Sequence, residues 1–308
     1  MQQMTNTEEY AMIEEKLKGM KTMLQDLSTG RLENEFHNIK PQAEDIVLCF
    51  QNQQMLLRQT PEGSKAFPTF SAVKEWTSNW TAWFAEGFRY VFRLQDQNYF
   101  VWLGNIQEKV DADYCFEPVR SFREILTKEQ YYASMTGWHL YNWYRSNKFC
   151  GNCGSKTVHD DAERMLRCPD CGNMIFPRIS PAVIVGITDG DRLLMSKYAG
   201  RGFTRYALIA GYTEIGETME QTVQREVMEE VGLRVRNIRY YKSQPWGIDG
   251  NVLMGFYCDL DGDDTIHLDE KELALAEWHH RGSLPAKDDG LTLTREMIRV
   301  FDEGREPK

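Results

Sequence analysis

The sequence contains no long apolar run, no segment that resembles a secretory signal and no excess of basic residues. No uninterrupted apolar stretch approaches the length of about 20 residues that a membrane helix needs. The N-terminus is polar and has no apolar core segment, so we expect a soluble protein of the cytoplasm that has no membrane partner. The formal net charge of −10 argues against a general electrostatic grip on nucleic acid or on an anionic membrane.

The chain of 308 residues is long for a single typical domain and suits two or three. Hydrophobic residues make up 42% of it, which is enough for ordinary cores. We predict four segments: an N-terminal α/β-rich domain over 1–126, a linking helix over 127–148, a ribbon over 149–178 and a C-terminal domain over 179–308.

Four of the seven cysteines form two CxxC pairs with fourteen residues between them. The pairs are Cys150/Cys153 and Cys168/Cys171, and each is followed by glycine. Paired knuckles at this spacing indicate a zinc ribbon, whereas a redox CxxC or disulfides are weak alternatives in a protein expected in the cytoplasm. Because four thiolates leave no open position on tetrahedral Zn²⁺, the predicted zinc is structural.

The ribbon shows little sign of binding nucleic acid. Between Lys148 and Arg178 there are five basic side chains against four acidic ones, so we expect a scaffold. The other cysteines are isolated, and we expect reduced structural thiols at Cys49, Cys115 and Cys258.

The first 147 residues contain secondary-structure patterns but no chemical motif. Apolar residues spaced three and four apart predict a helix over 8–27. Apolar runs from Asp45 onward, with a hairpin turn at 95–98, predict a β-rich domain over roughly 40–125 with a structural or dimer-forming role. A further helix is predicted over 127–147, where His139 is expected to be a packed or surface residue.

The stretch from Gly211 to Leu233 contains a second motif. Thr218, with Gln221 three residues later, predicts a capped helix start, and Gly232 predicts a left-handed C-terminal stop. Apolar residues recur every four positions and give this helix a side to bury. The buried side is predicted to consist of Val223, Val227 and Val231.

Three glutamates, Glu226, Glu229 and Glu230, fall on one face of this predicted helix. One interpretation is a solvated acidic face, held by an Arg225–Glu229 pair. The other is a divalent cation site, because carboxylate oxygens suit Mg²⁺ or Mn²⁺. The spacing Gly211-x5-Glu217-x7-Arg225-Glu226-apolar-x-Glu229-Glu230-x-Gly232-apolar resembles the Nudix box at every defined position.

The resemblance to Nudix hydrolases implies a fold and a chemistry. The fold is an α/β class, a Nudix α/β/α sandwich with a mixed sheet, here preceded by the zinc ribbon and the β-rich domain. The chemistry is metal-dependent hydrolysis of a diphosphate linked to a nucleoside. By the resemblance, Glu226, Glu229 and Glu230 hold Mg²⁺ or Mn²⁺ with Glu230 closest to water activation, and Arg225 orients them.

Further segments narrow the resemblance. A zinc ribbon, then Phe176-Pro-Arg-Ile-Ser-Pro181, the box, and Ser243-Gln-Pro-Trp246 in that order resemble the NADH pyrophosphatase branch of Nudix hydrolases. That branch is implied to be dimeric, to split the dinucleotide NAD(H) into nicotinamide mononucleotide and AMP and, in some members, to remove NAD caps from RNA. The implied substrate contacts are Tyr212, which stacks on a base, with Phe176, Gln244, Trp246 and Asn251. The implied additional metal ligands are Glu272 and the Ala210 carbonyl.

Two departures from the branch leave the substrate open. After Trp246 the family continues Pro-Phe-Pro-x-Ser, whereas this chain has 247–251 as Gly-Ile-Asp-Gly-Asn, which predicts a more flexible, more polar wall with a negative charge at Asp249. Phe176 replaces the usual tyrosine. The alternatives are a Nudix hydrolase for ADP-ribose, a dinucleoside polyphosphate or capped RNA, and a non-catalytic nucleotide-binding protein. The last predicts lost box carboxylates, yet all are present.

Overall fold

The computed structural model describes residues 23–27, 30–76, 87–106, 110–200, 205–285 and 290–308. Within these, the chain divides into two compact units. The N-terminal unit contains residues 27–180 and 246–252, and the C-terminal unit contains residues 23–26, 181–245 and 253–308. Most of the helix predicted over 8–27 lies outside the described residues. Its last part, 23–27, is a turn in which the Asp26 N–H donates to the Met23 carbonyl at 3.0 Å.

The N-terminal unit is built on a seven-stranded sheet. The strands are β1 Leu32–Glu33, β2 Ile46–Gln51, β3 Gln54–Gln59, β4 Lys65–Ala66, β5 Phe88–Leu94, β6 Gln97–Trp102 and β7 Tyr114–Pro118. Their order is β1-β5-β6-β2-β3-β4, with β7 also paired to β3. β2 and β6 are parallel, so the sheet is mixed. The β-rich character predicted for this region is confirmed.

The predicted hairpin turn between β5 and β6 is confirmed. Its two central residues, Gln95 and Asp96, have φ of 49° and 62°. Positive φ at both positions is typical of the type I′ turn, whose twist matches that of the flanking strands. β2 and β3 are joined in the same way through Asn52 and Gln53, with φ of 49° and 60°.

The N-terminal unit contains three α-helices in its described residues, and two of them begin with a side-chain cap. α1, Phe70–Glu75, starts at Thr69, whose side chain accepts from the Ala72 N–H, and was not predicted from the sequence. α2 is Phe122–Ile125. α3, Lys128–Ser146, begins with a capping box formed by Thr127 and Gln130, which confirms the helix predicted there.

The ribbon forms a small antiparallel sheet of its own. Its strands are β8 Val158–His159, β9 Leu166–Arg167 and β10 Met174–Ile175, in the order β10-β9-β8. Each of these strands has two residues, and small units of this kind commonly need a metal or a cross-link in addition to their apolar contacts.

The C-terminal unit is an α/β/α sandwich, as predicted. Its strands are β11 Ser180–Asp189, β12 Arg192–Tyr198, β13 Ile209–Tyr212, β14 Val235–Trp246, β15 Asn251–Leu260 and β16 Leu273–His280. The sheet order is β14-β15-β11-β12-β16, with β13 paired to β11. β16 was not predicted, although Leu273-Ala-Leu-Ala-Glu-Trp contains part of an alternating pattern.

Alternation along β11 explains the two faces of this sandwich. Val183 and Val185 pack with Val227 of α4, Met219–Val231. The intervening Ile184 packs with Met297 of α5, Leu293–Asp302, which is capped by Thr292. Successive side chains of a strand point to opposite faces, so one strand serves both helices. No helix in the described residues is long and apolar enough to cross a membrane.

Candidate active site

The helix of the Nudix box begins and ends at the predicted residues. The Thr218 N–H donates to Gln221 Oε1 at 2.8 Å, and the Gln221 N–H donates to Thr218 Oγ1 at 3.3 Å. Gly232 has φ of +68° and donates to the Met228 carbonyl at 3.1 Å. This left-handed conformation suits glycine, so the helix stops there.

Burial separates the three glutamates of α4. Glu226 is 8% exposed and Glu230 is 2% exposed, whereas the Glu229 side chain is 59% exposed. The valines predicted for the apolar side, Val223, Val227 and Val231, are buried completely. The carboxylates of Glu226 and Glu230 are therefore buried together with the valine side of the helix.

Arg225 connects the carboxylates to the loop that precedes the helix. Its Nε and Nη2 donate to the two oxygens of Glu217 at 2.6 and 2.9 Å. Its Nη1 donates to Glu226 Oε1 at 2.8 Å and to Glu229 Oε2 at 2.9 Å. Nη2 also donates to the Tyr212 carbonyl at 2.8 Å. One planar guanidinium thus fixes three carboxylates and a main-chain carbonyl, a geometry that lysine does not provide.

The charges in this cluster shift its pKa values in opposite directions. Hydrogen bonds from Arg225 lower the pKa of Glu217 to about 2. Burial raises the pKa of Glu226 above its ordinary value; the pairing with Arg225 opposes this, while the negative charges of Glu229 and Glu272 add to it. A buried carboxylate with two acidic neighbours is a group that gains from an added cation.

Glu226 lies directly against the main chain of β13. A Cβ added at Gly211 would lie 1.9 Å from Glu226 Cδ, so only glycine allows this approach. β13 is held in place by β11, with Ala210 opposite Ile184 and Gly211 opposite Val183. Ala210, whose carbonyl is a candidate metal ligand, therefore directly precedes the glycine against which Glu226 packs.

The turn that carries Glu272 is attached to the end of α4. The Asp269 N–H donates to the Glu230 carbonyl at 3.0 Å, and the Glu272 N–H donates to the Asp269 carbonyl at 3.1 Å. Glu272 is exposed and directly precedes β16. A residue forty positions beyond the box is thus placed near its buried glutamates.

The residues of the box fit a hard divalent cation by their chemistry. Arg225 binds one oxygen of Glu226 and one of Glu229, and each carboxylate has a second oxygen. Gly211 provides the open main chain against which Glu226 rests. Oxygen ligands of this kind suit Mg²⁺ and Mn²⁺.

The predicted cysteine cluster is assembled in the ribbon. The sulfur of Cys150 lies 3.6 Å from that of Cys171, and the sulfur of Cys153 lies 3.4 Å from that of Cys168. In the described residues, these four form the one group of three or more candidate ligands whose atoms all lie within 4.8 Å of one another. Tetrahedral zinc with bonds of about 2.3 Å separates its sulfurs by about 3.8 Å, so the cluster fits zinc.

Main-chain geometry supports each knuckle. Hydrogen bonds from the main-chain N–H groups of Asn152 and Cys153 lower the pKa of Cys150 to about 6, which favours the thiolate form that binds metal. Gly154 and Gly172 follow the knuckles with φ of +80° and +73°. Their N–H groups donate to the carbonyls of Cys150 and Cys168 at 2.8 and 3.0 Å.

The five predicted substrate contacts differ in exposure. Tyr212 is 51% exposed and Phe176 is 53% exposed, so both present a ring to solvent. Trp246 is half-buried and donates from Nε1 to Asp249 Oδ2 at 3.1 Å. Asn251 is buried.

Gln244 is a buried structural residue. It has no exposed surface, and its amide nitrogen donates to the Leu291 carbonyl at 2.8 Å and to Gln25 Oε1 at 3.2 Å. Its amide oxygen accepts from the Leu293 N–H at 2.8 Å. The predicted substrate contact by Gln244 is not favoured by this geometry, because both ends of the amide are engaged at the start of α5.

The segment that departs from the family pattern, 247–251, packs on α3. A Cβ at Gly247 would lie 2.2 Å from the Met135 carbonyl oxygen, and one at Gly250, where φ is +73°, would lie 3.3 Å from His139 Nε2. His139 Nε2 also lies 2.8 Å from the Arg178 carbonyl oxygen. The segment predicted to be a flexible wall is therefore a close-packed turn, and the two glycines make its approach to the helix possible.

Glu217 is a member of the site to which the sequence patterns assign no role. It accepts from Arg225, from the Glu214 N–H at 3.0 Å and from Thr222 Oγ1 at 3.0 Å. Its defined place in the box, eight residues before Arg225, was a signal for this pairing.

Comparisons with known proteins agree with these motifs. Residues 178–301 match the NUDIX domain family, and residues 145–176 match the NADH pyrophosphatase zinc ribbon domain. A Photorhabdus laumondii protein named NAD-capped RNA hydrolase NudC is 36% identical over 180 residues, or 58% of this chain and 70% of that protein. A Haemophilus influenzae protein of the same name is 33% identical over 211 residues, or 66% and 77%.

A third relative of that name, from Pectobacterium atrosepticum, is 39% identical over 53% of this chain and 62% of its own length. Among solved structures, a NUDIX hydrolase from Nitrosomonas europaea is 22% identical with a TM-score of 0.45, over 51% of this chain and 92% of that one. The two domain matches and the identities to the Photorhabdus and Haemophilus proteins decide the assignment: the chain belongs to the NADH pyrophosphatase (NudC) family of Nudix hydrolases and is a pyrophosphohydrolase.

Proposed function

We propose that this chain hydrolyses the pyrophosphate of NAD(H), giving nicotinamide mononucleotide and AMP, and that it also removes NAD caps from RNA. The observation that carries the proposal is the Arg225-organised carboxylate cluster, set on a capped helix with two glutamates buried. The ribbon match and the names of the relatives support the choice of substrate.

The proposed metal ligands are carboxylates and one carbonyl. Mg²⁺ or Mn²⁺ would be held by Glu226, Glu229, Glu230, Glu272 and the Ala210 carbonyl. When bound, a divalent cation neutralises the charge of the pyrophosphate and lowers the pKa of bound water. Glu230 is proposed as the group that accepts the proton of the attacking water, because its carboxylate is the most buried of the three on α4 and therefore the least screened.

Arg225 is proposed as a positioning residue. It is engaged by Glu217, Glu226, Glu229 and the Tyr212 carbonyl, so its role is to hold carboxylates in a fixed arrangement. Preorganised charge costs no reorganisation at the moment of reaction, which is a principal source of catalysis in such sites.

The exposed ring of Tyr212 is proposed to stack on a base of the substrate. Phe176, Trp246 and Asn251 are proposed as further contacts, with Trp246 fixed by its bond to Asp249. Zn²⁺ at the four cysteines is proposed to be structural. The four-segment division of the chain, a homodimer and a cytoplasmic location stay predictions.

A second substrate class is kept because of one specific feature. The turn 247–251 replaces the family's Pro-Phe-Pro-x-Ser with a glycine-containing segment seated on α3. Because a different segment at this position changes the shape of a proposed substrate wall, ADP-ribose and dinucleoside polyphosphates are alternative substrates to NAD(H).

The proposal is tested by chromatographic analysis of products after incubation with Mg²⁺ or Mn²⁺. The panel contains NADH, NAD⁺, ADP-ribose, diadenosine polyphosphates and NAD-capped RNA, and Glu230→Gln is the blank. Cleavage of NADH to the mononucleotide and AMP ahead of the other compounds is expected. If NADH is spared while another diphosphate is cut, the substrate assignment is wrong and only the chemistry stands.

A further inference from the structure

One face of α3 supports the turn that joins β14 to β15. Tyr131, Met135 and His139 recur every four residues, so they lie in one stripe along the helix. Burial raises the pKa of Tyr131 to about 12, and the negative charge of Asp249 in the turn adds to this rise. A Cβ at Gly247 would lie 2.2 Å from the Met135 carbonyl oxygen. The turn is therefore followed by three successive levels of α3, of which His139 is the last.

His139 joins the turn to a second segment of the chain. Its Nε2 lies 2.8 Å from the Arg178 carbonyl oxygen. Because a carbonyl oxygen can only accept, Nε2 carries a proton and donates it to this bond. A Cβ at Gly250 would lie 3.3 Å from the same nitrogen, and one at Gly247 would lie 3.4 Å from His139 Cβ. One side chain thus lies against both glycines of the turn and holds the main chain two residues after Phe176.

The two segments that His139 joins carry three of the proposed substrate contacts. Phe176 belongs to the first segment, and Trp246 and Asn251 stand at the two ends of the turn. The segments are also joined directly, because the Ser180 N–H donates to the Gly250 carbonyl at 2.9 Å. Both ends of the turn belong to the same compact unit as α3. The positions of these contacts therefore depend on what α3 presents to the turn.

The chemistry of the substrates gives this arrangement a consequence. NAD(H) carries a base at each end of its pyrophosphate, whereas ADP-ribose has the same pyrophosphate and adenosine but no nicotinamide. Tyr212 is proposed to stack on one base, so the contacts on the two joined segments are available to the other. A small displacement of such contacts weakens the binding of a ligand that uses them and leaves a ligand without the second base unaffected.

We propose that His139 is a positioning residue for substrate selection, which holds the Phe176 segment and the turn at a fixed separation for the second base of a dinucleotide. The inference rests on the proposed function and adds a specificity determinant to it. His139 does not touch the substrate in this account. It acts through its hydrogen bond to the Arg178 carbonyl and through its contact with Gly250.

The test compares the binding of NADH and ADP-ribose to full-length, zinc-containing protein in Mg²⁺, measured by calorimetry. All variants carry Glu230→Gln, so that neither compound is turned over during the titration. His139→Leu has a side chain of similar volume without the donor, and it should weaken NADH binding about tenfold. Its affinity for ADP-ribose should stay nearly unchanged. A merely structural role of His139 predicts equal losses for the two compounds.

A conservative variant and a control variant sharpen the comparison. His139→Gln places an amide N–H near the position of Nε2 and should keep the NADH affinity within about threefold of the parent protein. Arg145→Leu introduces the same leucine at an exposed position of α3 and should change neither affinity. Hydrogen exchange over 176–180 and 246–251 should be faster in His139→Leu and unchanged in the other two.

Equal losses for NADH and ADP-ribose in His139→Leu, or no loss for either, would overturn the proposal. NADH binding as weak in His139→Gln as in His139→Leu would also overturn it. If thermal unfolding shows that His139→Leu is not folded, His139→Asn replaces it, because its shorter amide does not reach the Arg178 carbonyl, and the same two affinities decide.

NADH turnover by the wild-type protein tests the proposed function separately. If NADH is cleaved but substitution of His139 does not change the ratio of the two affinities, this inference alone is wrong. If the wild-type protein does not cleave NADH and the Glu230→Gln protein does not bind it, the proposed function is wrong and the inference falls with it.

Discussion

The two clusters of candidate metal ligands in this chain are organised in opposite ways. The sulfurs of the four cysteines form two close pairs, 3.6 Å apart for Cys150 and Cys171 and 3.4 Å apart for Cys153 and Cys168. In the described residues, no ion pair joins a basic side chain to this cluster. The carboxylates of α4 are spread around Arg225, which pairs with Glu226 and Glu229. A thiolate cluster needs its cation to hold together, whereas a carboxylate cluster with its own arginine is ordered before a cation arrives. The first arrangement suits structure and the second suits exchange of metal and substrate.

Removal of one thiolate is expected to have the largest effect. Cys150→Ser should reduce the zinc content from about one ion per chain to nearly none and unfold the ribbon, because structural zinc sites supply about 10–16 kcal/mol of apparent binding free energy. Metal analysis and hydrogen exchange over 149–178 measure this. Cys115→Ser, an exposed cysteine outside the cluster, is the control. A full zinc complement in Cys150→Ser would contradict the structural assignment.

Loss of the proposed base, Glu230, is expected to have the second-largest effect. Glu230→Gln should lower turnover by about 10²- to 10⁴-fold, the range that a positioned base contributes, while zinc content and thermal unfolding stay unchanged. Glu220→Gln is the matched control, because Glu220 is an exposed glutamate in the first turn of the same helix. Near-native activity of Glu230→Gln would show that another group accepts the proton.

Arg225→Lys tests whether the arginine, and not charge alone, organises the carboxylates. An ammonium cannot reproduce the four-partner geometry, so turnover should fall by up to about 100-fold through misplacement of the ligands. As a positioning residue, Arg225 should affect kcat with little change in KM, and the Mg²⁺ concentration for half-maximal activity should rise. A change in KM alone would indicate direct contact with substrate.

Much of the contrast between the cysteine cluster and the carboxylate cluster was predictable from the spacing of residues in the sequence. The cysteine pairs and the box are local patterns, and the caps at Thr218 and Gly232 are decided within a few residues. The strands of the β-rich domain and the hairpin turn at Gln95–Asp96 were predictable for the same reason.

The remaining features depend on contacts between distant residues. Gln244 was expected to touch substrate because it stands in a recognisable motif, but its burial depends on where the chain at 291–293 lies. The turn 247–251 was read as flexible because glycine is permissive, whereas its glycines serve a close approach to α3. Composition does not distinguish these two uses of glycine.

The smallest predicted effect concerns acid stability. The pKa of Glu217 is lowered from 4.5 to about 2 by Arg225. A lowered folded-state pKa stabilises the fold above the unfolded value, and this contribution is lost as pH falls from about 4.5 towards 2. Urea unfolding should therefore show wild type to be more stable than Glu217→Gln at pH 6, with a smaller difference at pH 3. A difference independent of pH would show that the ion pair is not its source.

The separation of the two metal roles is tested most directly by metal exchange. Purified protein is treated briefly with a chelator, and zinc content, folding and NADH cleavage are measured before and after addition of Mg²⁺ or Mn²⁺. The expected result is that activity disappears and returns with Mg²⁺ or Mn²⁺ while about one zinc per chain is retained throughout. Activity that instead follows zinc content, and is not restored by Mg²⁺ or Mn²⁺, would contradict a structural ribbon and a separate carboxylate-bound catalytic metal.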